Sequence, residues 1–156
     1  MHLRWAPRAA EYVGKMLVVS HCWEEQEQPD REGEQFAAIK THLLANTAIE
    51  LVWIDYNSMP QGHNKLDWEK AEFAMMLPSI NLLYLFCSVL ILVDRQYMGR
   101  FWTQFEAFLS LRKVTAEGLA FTPEQERRCT VSRIRNAPKA FGAGLIEEWE
   151  SKSAEE

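Results

Sequence analysis

At 156 residues, 47% of them apolar, and with a formal charge of -5, the chain is long and apolar enough to build one domain around its own core without a disulfide or metal staple. No cluster of Lys and Arg breaks the acidic balance, which argues against nucleic acid or an anionic membrane as partner and for small molecules or proteins. Cys22, Cys87 and Cys129 are odd in number and widely spaced, as expected of reduced thiols in the cytoplasm rather than of a disulfide framework, and a zinc site of His21, Cys22 and Cys87 would lack the usual ligand spacing.

In chain order, residues 1–14 read as an N-terminal extension with no apolar signal segment, residues 15–150 as the domain and residues 151–156 as a charged tail. KMLVVSHCW, from Lys15 to Trp23, is an apolar β-favouring run that turns abruptly polar, the pattern of a strand buried on both faces and ending in a loop. After the acidic stretch around Pro29 and Gly33, EQFAAIKTHLLAN predicts a helix with Phe36, Ile39, Leu43 and Leu44 on its apolar face and Asn46 as its stop. A second strand spans Ile49 to Ile54 and ends in Asp55, Tyr56 and a Pro60-Gln61-Gly62 loop.

Lys65 to Leu85 reads as a helix broken near Pro78, leading into SVLILVD as strand three, closed by Asp94. The apolar run from Leu82 to Val93 is shorter than the ~20 residues of a bilayer span, so no membrane partner is expected. GRFWTQFEAFLSLRKV predicts a helix with Phe101, Phe105 and Phe108 as core and with Arg112 and Lys113 in its last turn, where cations suit the helix dipole. A short helical turn after Thr122, a fourth strand in RRCTVSRI and a last helix in GLIEEWESKSAEE complete the chain.

Strand and helix alternate as in an α/β fold: one three-layer domain with a mostly parallel sheet of four to five strands flanked by helices. Ligands of such sheets bind beyond the carboxyl ends of the strands, so Ser20, His21 and Trp23, Asp55 and Tyr56, and Asp94 are expected on one rim. Trp102 and Glu106, four residues apart, share one face of their helix, which holds a carboxylate beside an indole at the edge of an apolar stripe.

Other chemistries fit less well. Neighbouring Ser20 and His21 diverge on one loop, and no nucleophile-elbow motif supports a hydrolase triad with Asp55. Neither glycine-rich nucleotide motif is present. A divalent cation held by Asp55, Asp94 and Glu106 would lack the acidic pair that receiver domains carry after strand one, so no metal is expected.

Taken in order, LVVSHCW, VWIDYNSMPQ, SVLILVD and FWTQFEAFL resemble the successive blocks of Toll/interleukin-1 receptor (TIR) domains, over roughly residues 15 to 113. FWTQFE is the most specific part, because NAD+-cleaving TIR domains carry a Trp four residues before their catalytic Glu. The chain is similar to a divergent group of the family, since Pro60, Gln61 and Gly62 stand where animal adaptors carry their signalling loop.

The resemblance implies a flavodoxin-like architecture and a cytoplasmic NAD+ glycohydrolase active on self-association, with homo-oligomers or other TIR domains as partners and NAD+ as substrate, not cofactor. Glu106 would be its catalytic residue, with Ser20, His21, Trp23, Asp55, Tyr56, Asp94 and Trp102 around the substrate. Two alternatives are a non-catalytic TIR-like scaffold in immune or cell-death signalling and a nucleoside deoxyribosyltransferase-like enzyme, which also depends on a single Glu.

Overall fold

A computed structural model describes residues 11–152. Strand β1 (Met16–Ser20) is central: β2 (Leu51–Trp53) pairs with it on one side and β3 (Ser88–Val93) on the other, with β6 (Cys129–Arg133) beyond β3. All three pairings are parallel, and the register sets Val18 against Trp53 and Val89, and Ser20 against Ile91. The β1 and β3 side chains are almost wholly buried, as their uninterrupted apolar runs require of strands covered on both faces.

The pleat sorts those side chains into two cores. Val18, Val89, Ile91 and Val93 pack with Tyr84, Phe108 and Leu145, from helices α4 (Ile80–Phe86), α5 (Phe101–Ser110) and α6 (Lys139–Glu150). Leu17, Val19, Leu90 and Leu92 face the other way, onto Ile39 and Leu43 of helix α1 (Glu34–Ala45). The result is the expected three-layer α/β domain with a four-stranded parallel sheet.

Several local expectations are corrected. On α1, Gln35 and Ile39 are the buried residues, while Phe36 and Leu44 face solvent. The helix is entered through Gly33 at φ 72, a left-handed conformation that glycine adopts without steric cost, and the Asp30 carboxylate accepts the N–H groups of Gln35 and Phe36. β2 is shorter than Ile49 to Ile54, because Asp55 already opens a single helical turn, α2 (Asp55–Ser58).

Pro78 acts as expected: α3 (Asp67–Met76) passes through a 3-10 turn at Leu77–Ser79 into α4, since proline offers no N–H to continue the ladder. Arg112 and Lys113 do not lie in a helix. α5 ends at Ser110, and both residues belong to β4 (Arg112–Thr115), which forms an antiparallel hairpin with β5 (Gly118–Phe121). Gly118 at φ 124 permits that turn.

The tail of the fold follows the sequence more closely. A 3-10 turn at Glu124–Glu126 precedes β6, and α6 starts earlier than expected, at Lys139, with Phe141, Leu145 and Trp149 aligned on its inner face. Among the described residues, no helix is long and apolar enough to cross a membrane.

Candidate functional site

Chain order departs in opposite directions from β1, to β2 on one side and β3 on the other, and a crevice opens above such a switch point. A cavity of about 480 Å³ lies there, within the ~300–1,000 Å³ usual for small-molecule sites. His21 and Trp23 line it from the segment after β1, Trp53 from β2 and Asp55 from the start of α2, Phe73 and Tyr84 from α3 and α4, and Arg100, Trp102 and Glu106 from α5 and its entry.

Glu106 is partly buried rather than part of a solvated face. Ser20 Oγ donates a hydrogen bond to its Oε2 at 2.6 Å, and Ser20 Oγ is also 2.6 Å from the hydroxyl of Tyr97, itself wholly buried. Tyr97 Oη further reaches the Thr103 carbonyl at 3.0 Å. Burial raises the pKa of Glu106 to about 7, and the nearby Asp55 charge adds to the rise; hydrogen bonds from Ser20 and Tyr84, together with His21, act in the opposite sense. Near neutral pH this carboxyl is therefore shared between its charged and neutral forms.

Asp55 holds a second group. Its Oδ1 accepts from His21 Nε2 at 2.9 Å, Trp23 Nε1 at 3.2 Å and the Tyr56 backbone N–H at 2.7 Å. The Tyr56 ring meets Trp23 edge to face at 5.2 Å, so Tyr56 supports a wall of the cavity without lining it. His21 Nδ1 is buried and has no hydrogen-bond partner among the described residues.

The expected rim is thus only partly assembled. His21, Trp23, Asp55, Trp102 and Glu106 meet at the cavity, with Trp102 exposed at 68% on its edge. Ser20 lies beneath the carboxylate, fully buried, instead of opening onto the rim. Asp94 does not reach the cavity: its Oδ1 accepts the N–H groups of Gln96 and Tyr97, and its Oδ2 pairs with Arg135 at 2.8 Å. A turn carboxylate so engaged cannot join Asp55 and Glu106 around a cation. Phe101, expected in the core, is 73% exposed beside Trp102, because α5 buries the face through Thr103, Ala107 and Phe108.

No family model, curated protein or solved structure matches the chain.

Sequence reasoning missed Tyr84, Tyr97 and Arg100. Each carried a weak signal: a phenol inside the apolar run LLYLF, another just after strand three, and a guanidinium one residue before FWTQFE. Lys65 and His63 add to the polar part of the lining, His63 Nε2 lying 3.3 Å from Gln26 Nε2. The cavity therefore pairs an aromatic, carboxylate-bearing floor with cationic side chains, an arrangement suited to a ligand having both a planar ring system and anionic groups.

Proposed function

We propose that the chain is a TIR-type NAD+ glycohydrolase that cleaves the nicotinamide–ribose bond. The observation that carries this reading is the position of Glu106: a carboxylate with a pKa of about 7, hydrogen-bonded from below by Ser20 and set among Trp53, Tyr84, Trp102 and Phe105 in a cavity of nucleotide-fragment size. The resemblance of FWTQFE to the Trp and Glu of NAD+-cleaving TIR domains points the same way.

The chemistry asks little beyond that carboxylate. When the bond between C1′ and the nicotinamide nitrogen breaks, its electron pair stays on nitrogen and the cationic ring leaves as neutral nicotinamide, so no general acid is required. Positive charge then develops at the ribosyl carbon, where ionised Glu106 stabilises it. Water adds to C1′ to give ADP-ribose and releases a proton; if a nitrogen of the adenine adds instead, the product is cyclic. Trp23 and Trp102 offer faces for stacking a planar base, and Arg100 and Lys65 suit the pyrophosphate. Those cations favour a phosphate-bearing dinucleotide over the free nucleoside of a deoxyribosyltransferase.

A non-catalytic TIR-like scaffold is the second reading, favoured by the exposure of Phe101 and Trp102 side by side at the cavity edge. Nicotinamide release from NAD+ by the concentrated protein separates the two, since self-association is expected to be needed for activity. Release abolished by Glu106→Ala supports the glycohydrolase; no release at high concentration or under crowding leaves the scaffold.

A further inference from the structure

We propose that Tyr97, Ser20 and Glu106 form a hydrogen-bond relay whose direction reverses as Glu106 gains or loses its proton, with the Thr103 carbonyl taking the spare donor. Ser20 and Tyr97 are then positioning residues for the carboxylate rather than groups that touch substrate. The relay stands on the geometry alone; its bearing on catalysis rests on the glycohydrolase reading.

The contacts run in one line, Glu106 Oε2 to Ser20 Oγ at 2.6 Å, Ser20 Oγ to Tyr97 Oη at 2.6 Å, and Tyr97 Oη to the Thr103 carbonyl at 3.0 Å. Ser20 and Tyr97 are both 0% exposed, so water cannot stand in for a missing partner. Each hydroxyl has one hydrogen to donate.

With Glu106 ionised, Ser20 donates to the carboxylate and Tyr97 donates to Ser20. The Thr103 carbonyl, in the first turn of α5, still faces the N–H of Ala107 in the helical ladder. With Glu106 protonated, its hydroxyl donates to Ser20, Ser20 donates to Tyr97, and Tyr97 donates to Thr103. Every hydrogen has an acceptor in both states, and besides the proton on Glu106 the change needs only two rotations about C–O bonds, at Ser20 and Tyr97. A half-buried carboxyl can thus switch charge without stranding a donor, which a one-way chain would not allow.

The surroundings are suited to a group held near balance. The titratable and charged groups around Glu106 are His21 and Cys22 after β1, Asp55 after β2, Tyr84 on α4, and Tyr97 and Arg100 before α5, with His63 and Lys65 sharing the cavity. Burial keeps the Tyr84 and Tyr97 phenols protonated well above their ordinary range, so both remain donors throughout.

The test is a titration of Glu106 by carbon NMR of carboxyl-labelled glutamate, the resonance being assigned with Glu106→Gln. Ser20→Ala removes the donor to the charged form, and its midpoint is expected roughly one pH unit above that of the wild type. Tyr97→Phe leaves that donor in place but strands the Ser20 hydrogen in the neutral form, so its midpoint is expected to fall by a similar amount. A rise or no change in Tyr97→Phe overturns the reversal, because a chain fixed in one direction loses only support for the charged form.

The wild-type protein provides a check that needs no buried substitution. The Tyr97 ring carbon bearing the hydroxyl should titrate with the Glu106 midpoint as Tyr97 changes acceptor; a flat response overturns the relay. Nicotinamide release is assayed on the same samples. Its absence from the wild type would remove the glycohydrolase reading, while the titrations alone decide the relay.

Discussion

Glu106 is opposed by burial and by the charge on Asp55, and its pKa of about 7 couples any reaction it serves to the stability of the fold. The folded state holds this proton more tightly than the unfolded chain, so as pH rises from about 4.5 to about 7 the folded state loses its relative preference and stability falls. The full contribution is about 3 kcal/mol, and Glu106→Gln should flatten that part of the stability–pH curve and be the more stable protein at pH 8. Chemical denaturation of both proteins at several pH values measures it. If Glu106 acts as an ionised group, nicotinamide release should rise across the same window in which stability declines; release that falls from pH 6 to 8 would exclude the charged form as the working one.

At this scale the sequence located the carboxylate and its indole, because a separation of four residues on a helix fixes a shared face. It did not locate Tyr97 and Tyr84, since nothing in a lone phenol says which distant hydroxyl or carboxylate it will meet. Ser20 was expected on the rim for the same reason: its place at the end of β1 is legible, but whether its side chain turns to the cavity or under Glu106 depends on what α5 brings beside it.

Among the elements, helix ends explain a residue that no motif marked. Arg128, just before β6, reaches the last carbonyls of two helices at once: Tyr84 and Leu85 of α4 at 2.8 and 2.9 Å, and Leu109 and Ser110 of α5 at 2.9 and 2.7 Å. One planar guanidinium thereby satisfies four acceptors that the helices leave open and sets a positive charge at both negative ends. Arg128→Met should cost roughly 3 kcal/mol in urea unfolding, and Arg128→Lys should recover little of it, because an ammonium cannot span both termini. Full recovery by lysine would reduce the role to charge alone.

Arg112 repeats the device at the end of α6, donating to the Trp149 and Lys152 carbonyls while stacking over Phe108 at 4.6 Å. Its expected helical role was wrong in position, because the chain leaves α5 at Ser110 to form the hairpin. Basic residues after an amphipathic run suit a helix end, but here Arg112 serves the end of another helix and Lys113 pairs with Glu126, choices that local periodicity cannot register. The helix break at Pro78 was legible because proline removes a backbone donor whatever surrounds it.

Across the whole molecule, Arg135 links segments distant in sequence. It pairs with Asp94 at the end of β3 at 2.8 Å, with Glu24 at 2.5 Å and Asp30 at 3.9 Å in the loop before α1, and its backbone N–H donates to Glu34 at 2.7 Å. That loop carries Trp23 and Gln26 to the cavity, so the guanidinium steadies one wall from outside. Arg135→Asn keeps a residue tolerant of the left-handed backbone found there, at φ 50, while removing the charge. Hydrogen exchange should quicken in residues 24–33 and stay slow in β1 and β3; unchanged exchange in the loop would show that Gln35, bonded to the Cys22 and Pro29 carbonyls, holds it unaided.

The sequence by itself determined the α/β class, the parallel sheet, the break at Pro78 and the helix that carries both Trp102 and Glu106, since each follows from backbone chemistry or from a periodicity of a few residues. Tertiary structure alone decided that Ser20 and Tyr97 lie behind Glu106, that Asp94 answers Arg135 instead of the cavity, and that Arg128 closes two helices. A buried polar group settles on whichever partner satisfies it when water is excluded, and that partner lies dozens of residues away along the chain.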